Sequence, residues 1–279
     1  MPTASNRSAA TELFVDFDGR QCVVRTDVQE IVDFVARLYS SMLVPSLVTP
    51  VGEITVSKFG DQYVVRSEDT EAFRGPALRT TLYVVKRDIL SRFVHSRPDL
   101  LWVHAGAVER ADRSLLIAGE PGRGKSTLVT LLCKLGWSFL TDDSAPIRLE
   151  SHEIIPFPQM PHRRIHPGRH LTPDEFGMLE REDVEIPTEG VRRTPAVIGA
   201  LVFPHYHAGV SSRLDRCTPG EAALEALRHC TNFPDHKEIA VAGMARLASL
   251  VPAYRLFYDD RLAAAALLDK AGRAESGIA

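Results

Sequence analysis

Apolar and polar residues alternate in two short runs near the start of the chain, Glu12–Phe17 and Gln21–Arg25, on either side of Asp18-Gly19. Alternation at period two predicts strands, and Asp-Gly between them predicts a tight hairpin. The period then changes. Ile31, Phe34, Val35 and Leu38 fall on one face of a helix that Asp27 opens. A second hairpin is predicted over Glu53–Val56 and Gln62–Arg66, and Leu78, Leu82, Val85, Ile89 and Phe93 mark an amphipathic helix over 77–97 that Pro98 closes. Residues 1–98 therefore read as a small α+β domain, with residues 1 to about 10 polar and disordered. The domain carries no motif of its own. A cap that packs on a core and a docking module for a partner are both open.

A second domain, 99–279, is expected to begin with an apolar strand over Leu100–Val108 that carries His104. A turn at Arg110-Ala111-Asp112 leads into Ser114–Ala118, an apolar run suited to a buried strand. Leu128–Leu135 is of helix length and ends at Gly136, Ser138–Thr141 is a short strand, and Pro146–Leu149 with Ile154–Phe157 predicts a hairpin. The stretch from about 158 to 196 is rich in Pro, His, Arg and acidic residues, lacks periodicity, and reads as a long, partly mobile loop-rich insertion. Beyond it come a buried strand over Val197–Pro204 and a helix from Thr218 to His229 with Glu221 at capping-box distance. A helix over 237–249, a strand over Ala253–Tyr258 and a helix over Asp260–Ala271 finish the pattern.

Chemistry concentrates at Gly119-Glu120-Pro121-Gly122-Arg123-Gly124-Lys125-Ser126, followed by Thr127. This is the phosphate-binding pattern G-x-x-x-x-G-K-[ST], lying between a predicted strand and a predicted helix as it must. Glycines at 119, 122 and 124 let the backbone take positive φ and turn successive N–H groups inward as an anion nest. The helix N-terminus adds its dipole. Lys125 is placed to bridge the β- and γ-phosphates, where one charge pair at about 4 Å is worth roughly 4 kcal/mol at an effective dielectric near 20. The Ser126 hydroxyl is placed to ligate Mg²⁺. The cofactors expected are ATP and Mg²⁺, although the loop reads phosphate and not base, so GTP and pyrophosphate stay open as donors.

Asp142-Asp143 follows Lys125 by 17 and 18 residues, after one helix and one short strand. Carboxylates at the end of a strand beside the loop can divide the labour, one on the metal side and one accepting the proton of an attacking hydroxyl. Alternation along an extended chain is expected to aim them apart; a helix cap or a solvated turn is the structural alternative. His104, 21 residues before Lys125, reads from local sequence as a strand histidine satisfied by its neighbours. Arg163, Arg164 and Arg169 are either phosphate clamps or solvated loop charges. His205 and His207 have the alternation of a metal pair, but no third ligand accompanies them.

The 279 residues carry a formal charge of −3, with 44% hydrophobic and 25% charged residues, which suits a globular protein and gives no electrostatic case for nucleic acid. Cys22, Cys133, Cys217 and Cys230 lack C-x-x-C spacing and are expected to be reduced packing residues, consistent with a cytoplasmic protein. No signal-peptide core and no run of 18 apolar residues is present, so no membrane association is expected.

The ensemble Trp102-Val103-His104-Ala105-Gly106-Ala107-Val108, then Gly119–Thr127, then Leu140-Thr141-Asp142-Asp143 resembles the HPr kinase/phosphorylase family over residues 100 to 150. A weaker likeness continues through Ile154–Pro158, Leu201–Tyr206 and Arg213-Leu214 to the HPr-kinase-related proteins that phosphorylate a serine of lasso-peptide precursors. The resemblance implies an α/β fold with a P-loop core of the HPr kinase and phosphoenolpyruvate carboxykinase type and a mixed twisted sheet. It implies Asp143 as general base, Asp142 as metal-side carboxylate, and His104 near the γ-phosphate or the base. It also implies a leader-peptide-binding partner and is compatible with a homo-oligomer. The E-[IV]-R-G signature of bifunctional HPr kinases is absent, which weighs against HPr as substrate and against phosphorolysis.

The expected function is thus Mg·ATP-dependent phosphorylation of a hydroxyl, on a serine of a precursor peptide or small protein. A small-molecule hydroxyl kinase and a nucleotide-switched binding module are the alternatives.

Overall fold

The computed structural model describes residues 10–46, 48–164 and 181–275. The N-terminal segment expected to be disordered lies outside them, apart from residue 10. The chain divides into two compact units, Met1–Pro98 and Asp99–Ala279, of mixed α/β type.

In the first unit, β1 (Thr11–Phe17) and β2 (Arg20–Thr26) pair antiparallel. Asp18 at φ +50° and Gly19 at φ +78° form the turn, where two left-handed residues match the right-handed twist of the strands. Helix α1 (Gln29–Leu38) buries Ile31, Val35 and Leu38. Strands β3 (Leu43–Val44), β4 (Gly52–Phe59), β5 (Gln62–Ser67) and β6 (Thr70–Gly75) complete a sheet of order β3-β1-β2-β4-β5-β6. Strand β6, Thr-Glu-Ala-Phe-Arg-Gly, was not expected: it is an edge strand with mostly exposed side chains and no alternation. Helix α2 (Leu78–Ser96) buries Val84, Val85, Ile89 and Phe93, and Phe93 meets Phe17 edge to face at 5.6 Å.

The second unit is built on a nine-stranded mixed sheet. Its strands are β7 (Leu101–Val103), β8 (Ala105–Arg110), β9 (Arg113–Ala118), β10 (Ser138–Thr141), β11 (Ala145–Arg148), β12 (Glu153–Ile154), then β15 (Ala196–Tyr206), β16 (Arg213–Arg216) and β17 (Ala253–Tyr258). The order runs β10-β8-β9-β15-β12-β11-β7, with β17 beside the second half of β15 and β16 beside β17. Strands β9, β15 and β17 are mutually parallel and the other pairings antiparallel. Buried on both faces, β9 is nearly continuous in apolar residues. Leu116 and Ala118 face a core shared with α4 (Pro219–Arg228) and α5 (Phe233–Leu250). Leu115 and Ile117 face a core shared with α3 (Lys125–Lys134) and α6 (Arg261–Glu275).

Three expectations are corrected here. The single strand over Leu100–Val108 is two strands, broken at His104. Strand β7 pairs with β11, while its other edge is tied by the α4–α5 connection: Trp102 N–H donates to Asn232 Oδ1 at 2.9 Å and Thr231 N–H to the Trp102 carbonyl at 2.8 Å. Strand β8 pairs instead with β9 and β10, so the chain changes partners at residue 104. The opposing segment changes at the same level, with Thr141 of β10 opposite Ala107 and Ala145 of β11 opposite Val103. Secondly, the loop-rich 158–196 stretch contains a two-stranded antiparallel sheet, β13 (His162–Arg164) with β14 (Arg181–Asp183), and a 3₁₀ turn at Thr188–Gly190. Thirdly, the helix expected from 237 begins at Phe233, ahead of a kink at His236. The box at Thr218 and Glu221 is formed, with the Glu221 N–H donating to Thr218 Oγ1 at 3.4 Å and the Thr218 N–H to Glu221 Oε2 at 2.9 Å. No helix among the described residues is long and apolar enough to cross a membrane.

Candidate functional site

The loop from Gly119 to Gly124 leaves the end of β9 and enters α3 at Lys125. Gly122 and Gly124 take φ +90° and +88°, the left-handed region that glycine alone enters without strain. Gly119 does not, contrary to expectation; a Cβ there would make only ordinary contact with Pro204 at 3.4 Å. The hydroxyl of Tyr258, at the end of β17, donates to the Arg123 carbonyl at 2.7 Å and sits where a Cβ on Gly124 would be. Burial pushes the Tyr258 pKa up to about 12 and keeps this donor protonated.

Lys125 is buried, and its ammonium group meets three acceptors: the Gly119 carbonyl at 2.7 Å, the Glu120 carbonyl at 3.2 Å and His104 Nε2 at 3.1 Å. Since an ammonium only donates, Nε2 must present its lone pair and Nδ1 carries the ring proton. Nδ1 lies 2.8 Å from the Asp143 carbonyl and 3.2 Å from Asp143 Oδ1. One imidazole thus links the loop lysine to the second aspartate. The strand break at residue 104 makes this geometry: the His104 N–H donates to the His229 carbonyl at 2.7 Å instead of continuing the ladder.

The two carboxylates diverge, though not by extended alternation. Asp143 has φ +76°, a conformation that costs a non-glycine residue about 1 kcal/mol and that Asp tolerates better than most. Its side chain faces His104 and is 39% exposed. Asp142 is 3% exposed and faces α3: a Cβ on Gly106 would meet Asp142 Oδ1 at 3.3 Å and Val129 Cγ2 at 2.6 Å. Its charge adds to burial in pushing the Cys133 pKa up to about 12. Asp142 and the Ser126 hydroxyl are hard oxygen donors of the type that Mg²⁺ takes.

Two residues near this cluster gave no signal in the sequence, Tyr258 and His229, and Gly106 entered only as part of the resembling segment Trp102–Val108. Burial lowers the pKa of His229, against the pull of Glu225 and with the help of Lys125 and His104. Of the remaining candidates, Arg169 lies outside the described residues, as do the side chains of Arg163 and Arg164. His205 and His207 both stack on Phe257, at 5.2 and 6.2 Å between ring centres. No group of three metal-type side chains occurs among the described residues.

No family model matches the chain, and no curated protein matches it. Among solved structures it is similar to the Hpr(Ser) kinase/phosphatase from Coxiella burnetii, with 13% identity, 61% of this chain and 95% of that chain covered, and a TM-score of 0.32. A superposition that loose carries no assignment, and the chemistry of the site rests on its own geometry.

Proposed function

We propose that the protein is a Mg·ATP-dependent kinase that transfers the γ-phosphoryl group to a hydroxyl. The observation that carries this reading is the hydrogen-bonded chain from Lys125 through His104 to Asp143 beside the Gly119–Gly124 loop. The backbone N–H groups of Gly122–Ser126 hold the phosphates. Lys125 leaves His104 for the β- and γ-oxygens. Asp143 takes the hydroxyl proton as the oxygen bonds to the γ-phosphorus and the bond to the β-phosphate oxygen breaks, releasing the nucleoside diphosphate. A positioned base of this kind contributes about 10²- to 10⁴-fold. His104 orients Asp143. Asp142 and Ser126 would hold Mg²⁺, which when bound supplies positive charge to the transferring group.

The finer reading is a serine acceptor on a precursor peptide or small protein, delivered with a leader-binding partner. Its support is the weaker likeness that runs through Ile154–Pro158, Leu201–Tyr206 and Arg213-Leu214. A transfer assay with γ-labelled ATP, serine peptides and free hydroxylated metabolites tests both levels. Label on a peptide, lost in Lys125→Ala and in Asp143→Asn, is expected. Label on a metabolite alone would replace the acceptor class, and tight ATP binding without transfer to any acceptor would replace the kinase by a nucleotide-controlled binding module.

A further inference from the structure

We infer that the nucleoside half of the triphosphate leaves the loop toward the end of β15 and seats in a cavity beside Arg123 and His205. The inference rests on the kinase reading above. In-line displacement sets the attacking oxygen, the phosphorus and the leaving oxygen on one line. With Asp143 at the attacking end, the diphosphate and its nucleoside extend from the opposite end. The sheet fixes what lies there. Along its edge come the exit of β10 with Asp143, the start of β8 with His104, the exit of β9 with the loop, and then the last residues of β15.

A cavity of about 200 Å³ opens at that place, lined among others by Glu120, Arg123, Pro204, His205, Glu225 and Arg228. It is smaller than the clefts of about 300 Å³ and above that take whole drug-sized ligands, and it suits one ring system of a ligand whose phosphates sit outside it. Its chemistry is that of a nucleoside. Arg123 and Arg228 offer charge to the α-phosphate, while Glu120 and Glu225 accept hydrogen bonds from sugar hydroxyls. Pro204 and the imidazole stacked on Phe257 give flat walls for a base. The arginines are paired now, Arg123 with Glu120 at 3.4 Å and Arg228 with Glu225 at 3.1 Å. Such exposed pairs exchange readily.

Calorimetric titration of the full chain with Mg·tripolyphosphate and with Mg·ATP separates the two claims. Wild type is expected to bind both, ATP about tenfold more tightly. Glu225→Ala and His205→Ala are expected to weaken ATP severalfold and leave tripolyphosphate unchanged. ATP binding unaltered in both variants would overturn the cavity assignment alone. Equal weakening of both ligands would make these side chains part of the phosphate cradle and would also overturn it. Failure of tripolyphosphate to bind wild type would remove the phosphate site itself, and the cavity assignment with it.

Discussion

Lys125 Nζ lies 3.1 Å from His104 Nε2, so the loop cation is held by the same ring that steadies Asp143 through its other nitrogen. His104→Ala removes both bonds without touching the nest. Transfer is expected to fall about tenfold or more, with the nucleotide dissociation constant little changed, because a hydrogen bond that positions a charged group is worth about 1.5–3 kcal/mol. Steady-state kinetics beside equilibrium nucleotide binding checks this: an equal loss in both would place the histidine in binding rather than in positioning Asp143.

Gly124→Ala combines two faults, a φ of +88° and a Cβ 2.1 Å from Tyr258 Oη. The left-handed conformation alone costs about 1–2 kcal/mol. Adding Tyr258→Phe removes the clashing oxygen and leaves the Cζ contact at an ordinary 3.4 Å. Nucleotide binding is expected to be lost in the single variant and to return in part in the double one. Full recovery would show that φ does not matter there.

Gly106→Ala presses on Val129 and on the Asp142 carboxylate together. Overpacking of this kind costs about 1–3 kcal/mol. A lower melting temperature is expected, largely recovered by adding Val129→Ala. The Mg²⁺ concentration for half-maximal transfer should stay raised in the double variant, because Asp142 remains displaced. A magnesium dependence restored along with the melting temperature would argue against the metal-side role.

Glu221 has its pKa lowered from 4.5 to about 2, first by the Thr218 N–H and then by the Thr218 hydroxyl and Arg255. Its ionised form therefore stabilises α4 above pH 4.5, and that contribution fades as pH falls toward 2. Glu221→Gln should melt below wild type at pH 6, with the gap narrowing between pH 4.5 and 2. A gap that stays constant with pH would mean that the charge is not what the cap uses.

Much of this architecture was legible because its causes are local. The Asp18-Gly19 turn, the Thr218 box and the strand Gly52–Phe59 follow from turn chemistry, side-chain reach and alternation between neighbours in sequence. The loop motif likewise announced its own strand and helix. What stayed hidden depends on distant partners. Nothing in Leu100–Val108 records that residue 103 pairs with β11 while residue 105 pairs with β9. Strand β6 exists because β5 offers it an edge, and its polar side chains carry no trace of that. The tyrosine against the loop comes 134 residues after Gly124, from a strand whose own pattern says only that it is buried. Asp143 was expected at a strand exit near the loop, but nothing local announced its left-handed backbone or its bond with His104.

Two adjacent segments that change partners at one level cannot absorb an added or missing residue. A one-residue insertion between Val103 and Ala105, or between Thr141 and Ala145, would slip one ladder against its neighbour and turn its inward side chains outward. The turn at Gly60-Asp61 has open space around it and would take the same insertion as a longer loop at slight cost. Length variation in this chain is thus expected at hairpin tips and barred from the seam, where lengthening either segment by one residue would part the histidine from the aspartate without substituting either.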